Sequence, residues 1–224
     1  MMKKWVLLLL FLSFIVMATS CNKKKPEVVV SEVTTTELTT QVTEEVTEVE
    51  PGVPEVDLHL GQAINPLTGL YISEEAAKRR PIGIMINNLK DALPQSGIAQ
   101  ADIIFETMVE GAICRLFAVF QDFDSTKIGP IRSARHYFLD FAFDYDALYV
   151  HYGQSPQAQA AIVQLQAPAM NGLSYLDTIM CFQDPERVRP HSTYTSFDGL
   201  MAAWDEVDFR KELKPDFVHK FAFS

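Results

Sequence analysis

The sequence has few cysteines and no long apolar run. Three cysteines among 224 residues provide no framework of disulfide bonds. Cys114 lies in an apolar run and Cys181 follows Met180, so both are interpreted as small buried hydrophobic residues. No uncharged apolar run reaches the roughly twenty residues that a membrane-spanning helix needs. These absences exclude a disulfide-stapled scaffold and argue against attachment through a spanning helix.

Positive charge is also scarce. Lysine and arginine number 19 against 29 aspartates and glutamates, which gives a formal net charge of −10. Nucleic acid is not expected as a partner, because nucleic-acid binders need a basic face. Common catalytic motifs are missing as well, among them Gly-x-Ser-x-Gly, His-Glu-x-x-His, the Walker loop and Cys-x-x-Cys. No metal or cofactor is predicted, and the sequence leaves open whether the protein is an enzyme.

Residues 1–20 are predicted to be a lipoprotein signal peptide. A basic start precedes an uncharged apolar run from Trp5 to Met17, and small residues follow it up to Cys21. This order is typical of a secretory signal. The cysteine after the small residues resembles the lipobox of bacterial lipoproteins, in which it is diacylated and becomes the mature N-terminus. An ordinary cleaved signal is the alternative. Two acyl chains anchor stably, so the sequence predicts an extracytoplasmic protein held at the cell membrane through Cys21.

Residues 21–59 are interpreted as the lipidated cysteine and a disordered acidic linker. The segment is rich in threonine, glutamate and valine, repeats Thr-Glu-Val and ends in Pro-Gly-Val-Pro. Valine and threonine also favour strands, but the density of acidic residues favours a solvated spacer. With about 36 residues its mean reach is roughly 30 to 35 Å. It can therefore hold a domain away from the membrane surface.

Residues 60–224 are predicted to form an α+β domain, in which helices pack on a mixed β-sheet. The apolar run 82–86 is typical of a central strand. Two β-rich runs, 102–108 and 112–120, predict a hairpin. If its turn has two residues, Glu106 lies opposite Arg115, and a cross-strand ion pair explains both charges. Because the chain ends in the apolar sequence Phe-Ala-Phe-Ser, we expect the domain to be truncated before a second one.

The segment 127–156 carries the most informative charges. Gly-Pro at 129–130 and the apolar spacing after it predict a helix that starts near Pro130. Arg132 and Arg135 then lie in its first turn, where the helix dipole disfavours cations, so a bound anion is one reason for their presence. A strand follows over 147–152 and places His151 near its carboxyl end, where open α/β sheets tend to bind ligands.

Other candidate ligand-binding residues lie in two further segments. Arg187, Arg189 and His191 alternate along the chain and share one side if the segment is extended. Asn87 and Asn88 follow the strand 82–86 and either line a pocket or bond their own loop.

The order of several short motifs resembles one known family. The motifs are Asn65-Pro-Leu-Thr-Gly, Arg80-Pro-Ile-Gly-Ile-Met-Ile-Asn-Asn, Pro94-Gln-Ser-Gly, Ala101-Asp-Ile-Ile-Phe-Glu, Lys127-Ile-Gly-Pro-Ile-Arg-Ser-Ala-Arg and Tyr149-Val-His. They resemble the YerB-like bacterial lipoproteins, a family of unknown function found mainly in Gram-positive envelopes. The resemblance implies a surface-anchored α+β protein whose family usually has a second, smaller domain. It implies no catalytic residues.

Three functions remain open. The first is binding of an anionic envelope ligand, a lipid or a wall polymer, by the arginines together with the histidines and asparagines named above, because a guanidinium bonds two phosphate oxygens at once. The second is docking of an envelope protein partner, with the arginines in internal salt bridges. The alternative is a cell-envelope hydrolase or transferase that uses His151 or His191 as a general base, with Glu106 or Glu110 as its partner.

Overall fold

The computed structural model describes residues 59–223. The predicted signal peptide, Cys21 and almost all of the predicted linker lie outside the described residues. In chain order the strands are β1 (Gln62–Ile64), β2 (Tyr71–Ser73), β3 (Ile82–Asn87), β4 (Ile103–Val109), β5 (Ile113–Phe120), β6 (Leu148–His151), β7 (Ala169–Asn171), β8 (Cys181–Gln183) and β9 (Thr193–Thr195). The helices are α1 (Glu74–Lys78), α2 (Phe138–Asp144), α3 (Pro156–Gln164), α4 (Asp177–Met180) and α5 (Phe197–Asp205).

A five-stranded mixed sheet forms the centre of the domain. Its strand order is β4-β5-β3-β6-β7, where β3 runs antiparallel to β5 and parallel to β6. Two small antiparallel pairs, β1 with β2 and β8 with β9, lie outside it. All six residues of β3 are buried, as expected for a central strand covered on both faces. The predicted α+β class with a mixed sheet is therefore confirmed.

Side chains alternate between two apolar layers, one on each face of the sheet. One layer joins the strands to α5, and its large members are Ile82, Ile84, Ile86, Leu116, Phe120, Val150, Leu200 and Trp204. The other layer joins them to α2 and α3, and its large members are Met85, Phe117, Val119, Phe138, Leu139 and Tyr149. The period of two along each strand produces this division. None of the helices within residues 59–223 is long and apolar enough to cross a membrane.

Gly83 in β3 lies directly beneath the ring of Phe117. A Cβ at this position would lie 2.1 Å from Cζ of Phe117, which is fully buried and has Tyr149 and Phe138 as aromatic neighbours. We predict that Gly83→Ala lowers the free energy of unfolding by about 1–3 kcal/mol, because the packed ring has little space to move. Chemical denaturation measures the loss.

The matched test repeats Gly83→Ala in a Phe117→Leu background. There the added methyl should cost less, with a coupling energy of about 0.5 kcal/mol or more. Equal losses in both backgrounds would show that the ring is not the obstacle.

The predicted helix start near Pro130 is wrong, because residues 128–134 form an extended segment with isolated β-bridges, a turn follows at 136–137, and α2 begins only at Phe138. The backbone N–H groups of Ile128, Ile131 and Ala134 donate to carbonyl oxygens of other segments at 2.7–2.9 Å. These bonds satisfy the backbone in place of a helix. The apolar residues near Pro130 contact both layers of the sheet, which their helix-like spacing does not reveal.

The predicted hairpin of β4 and β5 forms, but its register differs from the expected one. Its loop has three residues, 110–112, and the last two have positive φ angles of 77° and 56°. Thr107 therefore lies opposite Arg115, while Glu106 lies opposite Leu116. A shift of one residue moves a side chain to the other face. The predicted ion pair between Glu106 and Arg115 is therefore wrong.

Candidate functional site

A cavity of about 220 Å³ opens beside the carboxyl end of β6. The extended segment crosses there between two strands: the N–H of Arg132 donates to the Met85 carbonyl at 2.8 Å, and its carbonyl accepts from Tyr152 N–H at 3.0 Å. We name this space the arginine cavity. Its polar lining comprises Arg132, Ser133, Tyr152, Gln183, Arg189 and Thr193, and the remaining lining is Ile131, Gly153, Leu173 and Pro190. No carboxylate occurs in this lining.

Arg132 is the half-buried cation of the arginine cavity. Its Nη1 donates to the Pro190 carbonyl at 3.2 Å, whereas its Nε is buried and has no hydrogen-bond partner. Within residues 59–223 its guanidinium forms no ion pair. Burial lowers the pKa of Arg132, and the charge of Arg135 lowers it further. A buried guanidinium donor without an acceptor is costly.

Two further arginines lie beside Arg132. Arg115 is 6% exposed and donates through Nη1 to the Ser133 carbonyl. Burial, followed by the charges of Arg135 and Arg132, lowers the pKa of Arg115 to about 10. Arg135, unlike the other two arginines, has an acid partner within the described residues: its Nε donates to both carboxylate oxygens of Glu110 at 2.8 and 2.7 Å. One exposed acid, Glu110, is bonded to this group of three arginines. The group therefore keeps a net positive charge, although the protein as a whole is acidic.

A second cavity, of about 540 Å³, lies on the loop between β8 and β9. We name it the mixed cavity, because its lining contains both signs of charge: Asp91, Glu186, Arg187, Val188, Arg189 and His191. The sequence predicted that the arginines and the histidine share one side of an extended segment. They do line one cavity, but they lie on a loop and not on an extended strand, because β8 ends at Gln183 and β9 begins at Thr193. Arg189 lines both cavities.

The remaining predicted site residues are engaged elsewhere and line neither cavity. Asn87 is 2% exposed, its Oδ1 accepts from the N–H of Leu89, and its Nδ2 lies 2.8 Å from Nδ1 of His191. Asn88 donates to Glu106 at 2.7 Å. Asn87 therefore bonds its own loop, which is one of the two expected outcomes, whereas Asn88 donates to a side chain of β4.

His151 ends β6 as predicted, but its side chain is 1% exposed. Its Nδ1 donates to the Gly153 carbonyl at 2.8 Å. Burial lowers the pKa of His151 to about 4, so the imidazole is neutral near pH 7. It fixes the turn that carries Gly153 to the arginine cavity and is not part of the cavity lining.

Sequence reasoning missed Arg115, Tyr152 and Gln183. Arg115 is a single charge in a strand that is otherwise apolar apart from its cysteine, and such a residue is a signal for a buried functional or paired cation. A two-residue loop would pair it with Glu106, but the loop has three residues. Tyr152 and Gln183 carry no signal in their own segments, since the fold alone brings them to the cavity. No group of three or more His, Cys, Asp or Glu side chains in the described part of the chain could hold a metal ion.

Comparison with known proteins gives consistent matches over the same region. The family model "Protein of unknown function (DUF3048) N-terminal domain" matches residues 67–210. "Putative lipoprotein YerB" of Bacillus subtilis (strain 168) is 37% identical over 145 residues, which are 65% of this chain and 44% of that protein. The crystal structure of YerB protein from Bacillus subtilis is similar with a TM-score of 0.62 and 37% identity, over 66% of this chain and 51% of that one. The chain thus matches about half the length of these relatives.

Proposed function

The chain belongs to the family of the DUF3048 N-terminal domain, whose function is unknown, and on this premise we propose that it is a membrane-anchored extracytoplasmic lipoprotein that binds an anionic envelope ligand in the arginine cavity. The resemblance to YerB-like lipoproteins is confirmed by the same matches. The name of the Bacillus relative supports a lipid anchor, which we assign to Cys21, and a Gram-positive envelope. The ligand is then an envelope lipid head group or a segment of wall polymer.

One observation supports this proposal above the others. Arg132 presents a guanidinium to a cavity whose lining has no acid, and its buried Nε has no partner among the described residues. Arg135 is bonded to Glu110 and Arg80 to Asp146, whereas Arg79 and Arg115 donate to backbone carbonyls and line neither cavity. Arg132 differs from these four, because it lines a cavity without acids and has no acid partner within residues 59–223. Such an arrangement is relieved by an anion.

The size of the cavity agrees with a small anionic group. Sites that enclose whole small molecules have volumes of roughly 300–1,000 Å³, and the arginine cavity is smaller than these. A phosphate or carboxylate group fits it, while the rest of a larger molecule extends outside. The alternative with His151 as a general base is supported less well, because His151 is buried with Nδ1 bonded and has a pKa of about 4.

Arg132→Gln tests the proposal. We expect the variant to lose stabilisation by inorganic phosphate, since a ligand stabilises a protein only in proportion to its binding. Without phosphate its stability should stay within about 1 kcal/mol of the wild type, because one hydrogen bond to a carbonyl is lost while a buried cation is removed. Thermal melts of the full chain in a mild detergent, with phosphate added at constant ionic strength, measure both quantities.

Lys78→Gln is the matched control. It removes one positive charge from an exposed pair with Glu74, outside both cavities, and should leave the phosphate effect unchanged. The proposal is wrong if Arg132→Gln keeps the full phosphate effect, or if phosphate stabilises neither the wild type nor the control.

A further inference from the structure

The two cavities are neighbours that share one side chain. Arg189 lines both of them, while Arg132 lines only the arginine cavity and Arg187 only the mixed cavity. A ligand held by Arg189 can therefore extend from the arginine cavity into the mixed cavity. This matters for the class of ligand, because the two linings differ in charge and in the hydrogen bonds that they offer.

The mixed cavity is unsuitable for a second anionic group. Two exposed carboxylates, Asp91 and Glu186, face it, and neither forms an ion pair within residues 59–223. Arg187 also lines it, but its Nη1 and Nη2 already donate to the carbonyls of Leu93 and Pro94 at 3.0 and 3.1 Å. A phosphate placed here would meet two free acids and a cation whose donors are partly occupied.

Hydroxyl groups suit the same lining. Each hydroxyl donates one hydrogen bond and accepts others, so it can donate to a carboxylate of Asp91 or Glu186 and accept from the guanidinium of Arg189. Such bonds require no net charge on the ligand. They also leave both acids with partners, which an apolar ligand would not do.

We infer that the ligand is a phosphorylated saccharide or polyol, with its anionic group in the arginine cavity and its hydroxyl-bearing part in the mixed cavity. This inference rests on the proposed function and specifies the chemical class of its ligand. At Arg189 a lining without acids meets a lining with two carboxylates that are unpaired among the described residues. This arrangement favours a phosphorylated saccharide or polyol over a polyphosphate chain or a bare anion. The arginine cavity, of about 220 Å³, accommodates the anionic group, and the mixed cavity, of about 540 Å³, accommodates the hydroxyl-bearing part.

Calorimetric titration of the full chain in detergent tests the inference with three probes: inorganic phosphate, tripolyphosphate and glucose 1-phosphate. We expect glucose 1-phosphate to bind about tenfold or more tightly than phosphate. Tripolyphosphate should show a smaller gain in affinity over phosphate than glucose 1-phosphate does, because its further phosphates approach Asp91 and Glu186. The double variant Asp91→Asn with Glu186→Gln should lose the preference for glucose 1-phosphate while it keeps the affinity for phosphate.

Glu206→Gln is the control, since it neutralises an exposed acid outside both cavities. It should retain the preference for the sugar phosphate. The inference is overturned if phosphate binds but glucose 1-phosphate binds no more tightly, or if tripolyphosphate binds most tightly. In either result the anion site at Arg132 stands. If none of the three probes binds, the proposed function itself fails.

Discussion

Replacing Asp146 with asparagine is expected to lower the free energy of unfolding by about 3–5 kcal/mol. The Asp146 side chain is 3% exposed and has partners before β3 and in the C-terminal segment. It lies 3.2 Å from Nη2 of Arg80, and its two oxygens accept from Nη2 of Arg210 at 2.7 and 2.8 Å. The N–H of Lys214 donates to it at 3.1 Å. One carboxylate thus ties the C-terminal segment to the start of β6.

The large cost follows from what the substitution leaves behind. Arg80 has a side chain only 6% exposed, and burial lowers its pKa while the charge of Asp146 opposes that shift. Without the carboxylate this cation is buried and uncompensated, which is the costly way to break a buried pair. Asparagine tolerates the positive φ of 50° at this position, so the backbone is not the cause. A domain of this size loses about 2–4 °C in Tm per kcal/mol.

Asp144→Asn provides the control two residues away. Its carboxylate pairs with Lys220, and both side chains are about half exposed, so its loss should cost about 1 kcal/mol or less. Thermal melts or denaturant titrations of the two variants give the comparison. Equal losses would mean that the Asp146 network contributes no more than a surface ion pair.

Replacing Cys21 with alanine is expected to remove the mature protein from the membrane almost completely. Acylation contributes about 0.8 kcal/mol per buried CH₂ group, and stable attachment needs two such signals. We assign both acyl chains to this single cysteine, which lies outside the described residues. The variant should be recovered either as soluble mature protein or as an unprocessed precursor that keeps its signal peptide. Cell fractionation and the mass of the N-terminus distinguish these forms.

Cys114→Ala is the matched control for this experiment. It removes a half-buried cysteine from β5 and should leave the membrane fraction unchanged. A processed Cys21→Ala protein that stays bound to the membrane would refute the assignment and would require a different anchor.

Local sequence patterns predicted those elements whose stability depends on neighbouring residues. The predicted strands at 82–86 and 147–152 are present as β3 and β6. A short continuous apolar run favours a buried strand, and it is read from neighbouring residues alone. The motif order likewise identified the family. For β3 and β6 the chain carries the necessary information within each run itself.

The candidate site was predictable only in part. Arg132 was selected as a cation that helix stability does not explain, and it does line a cavity without acids, but it lies on an extended segment instead of a helix. Arg135, selected with it, is bonded to Glu110. Arg187, Arg189 and His191 do line one cavity. Nothing local distinguishes an arginine that faces an acid from one that faces a cavity.

The sequence alone determined the α+β class, the central strands, the acid-rich composition and the membership of a family. Only the tertiary structure decided the path of residues 127–137, the register of the hairpin and the partners of each arginine. The path depends on backbone hydrogen bonds to strands that are distant in sequence, and the register depends on one extra residue with positive φ in the loop. Pairings over long sequence separations are set by the fold as a whole, because each is stable only when its partner segment is already in place.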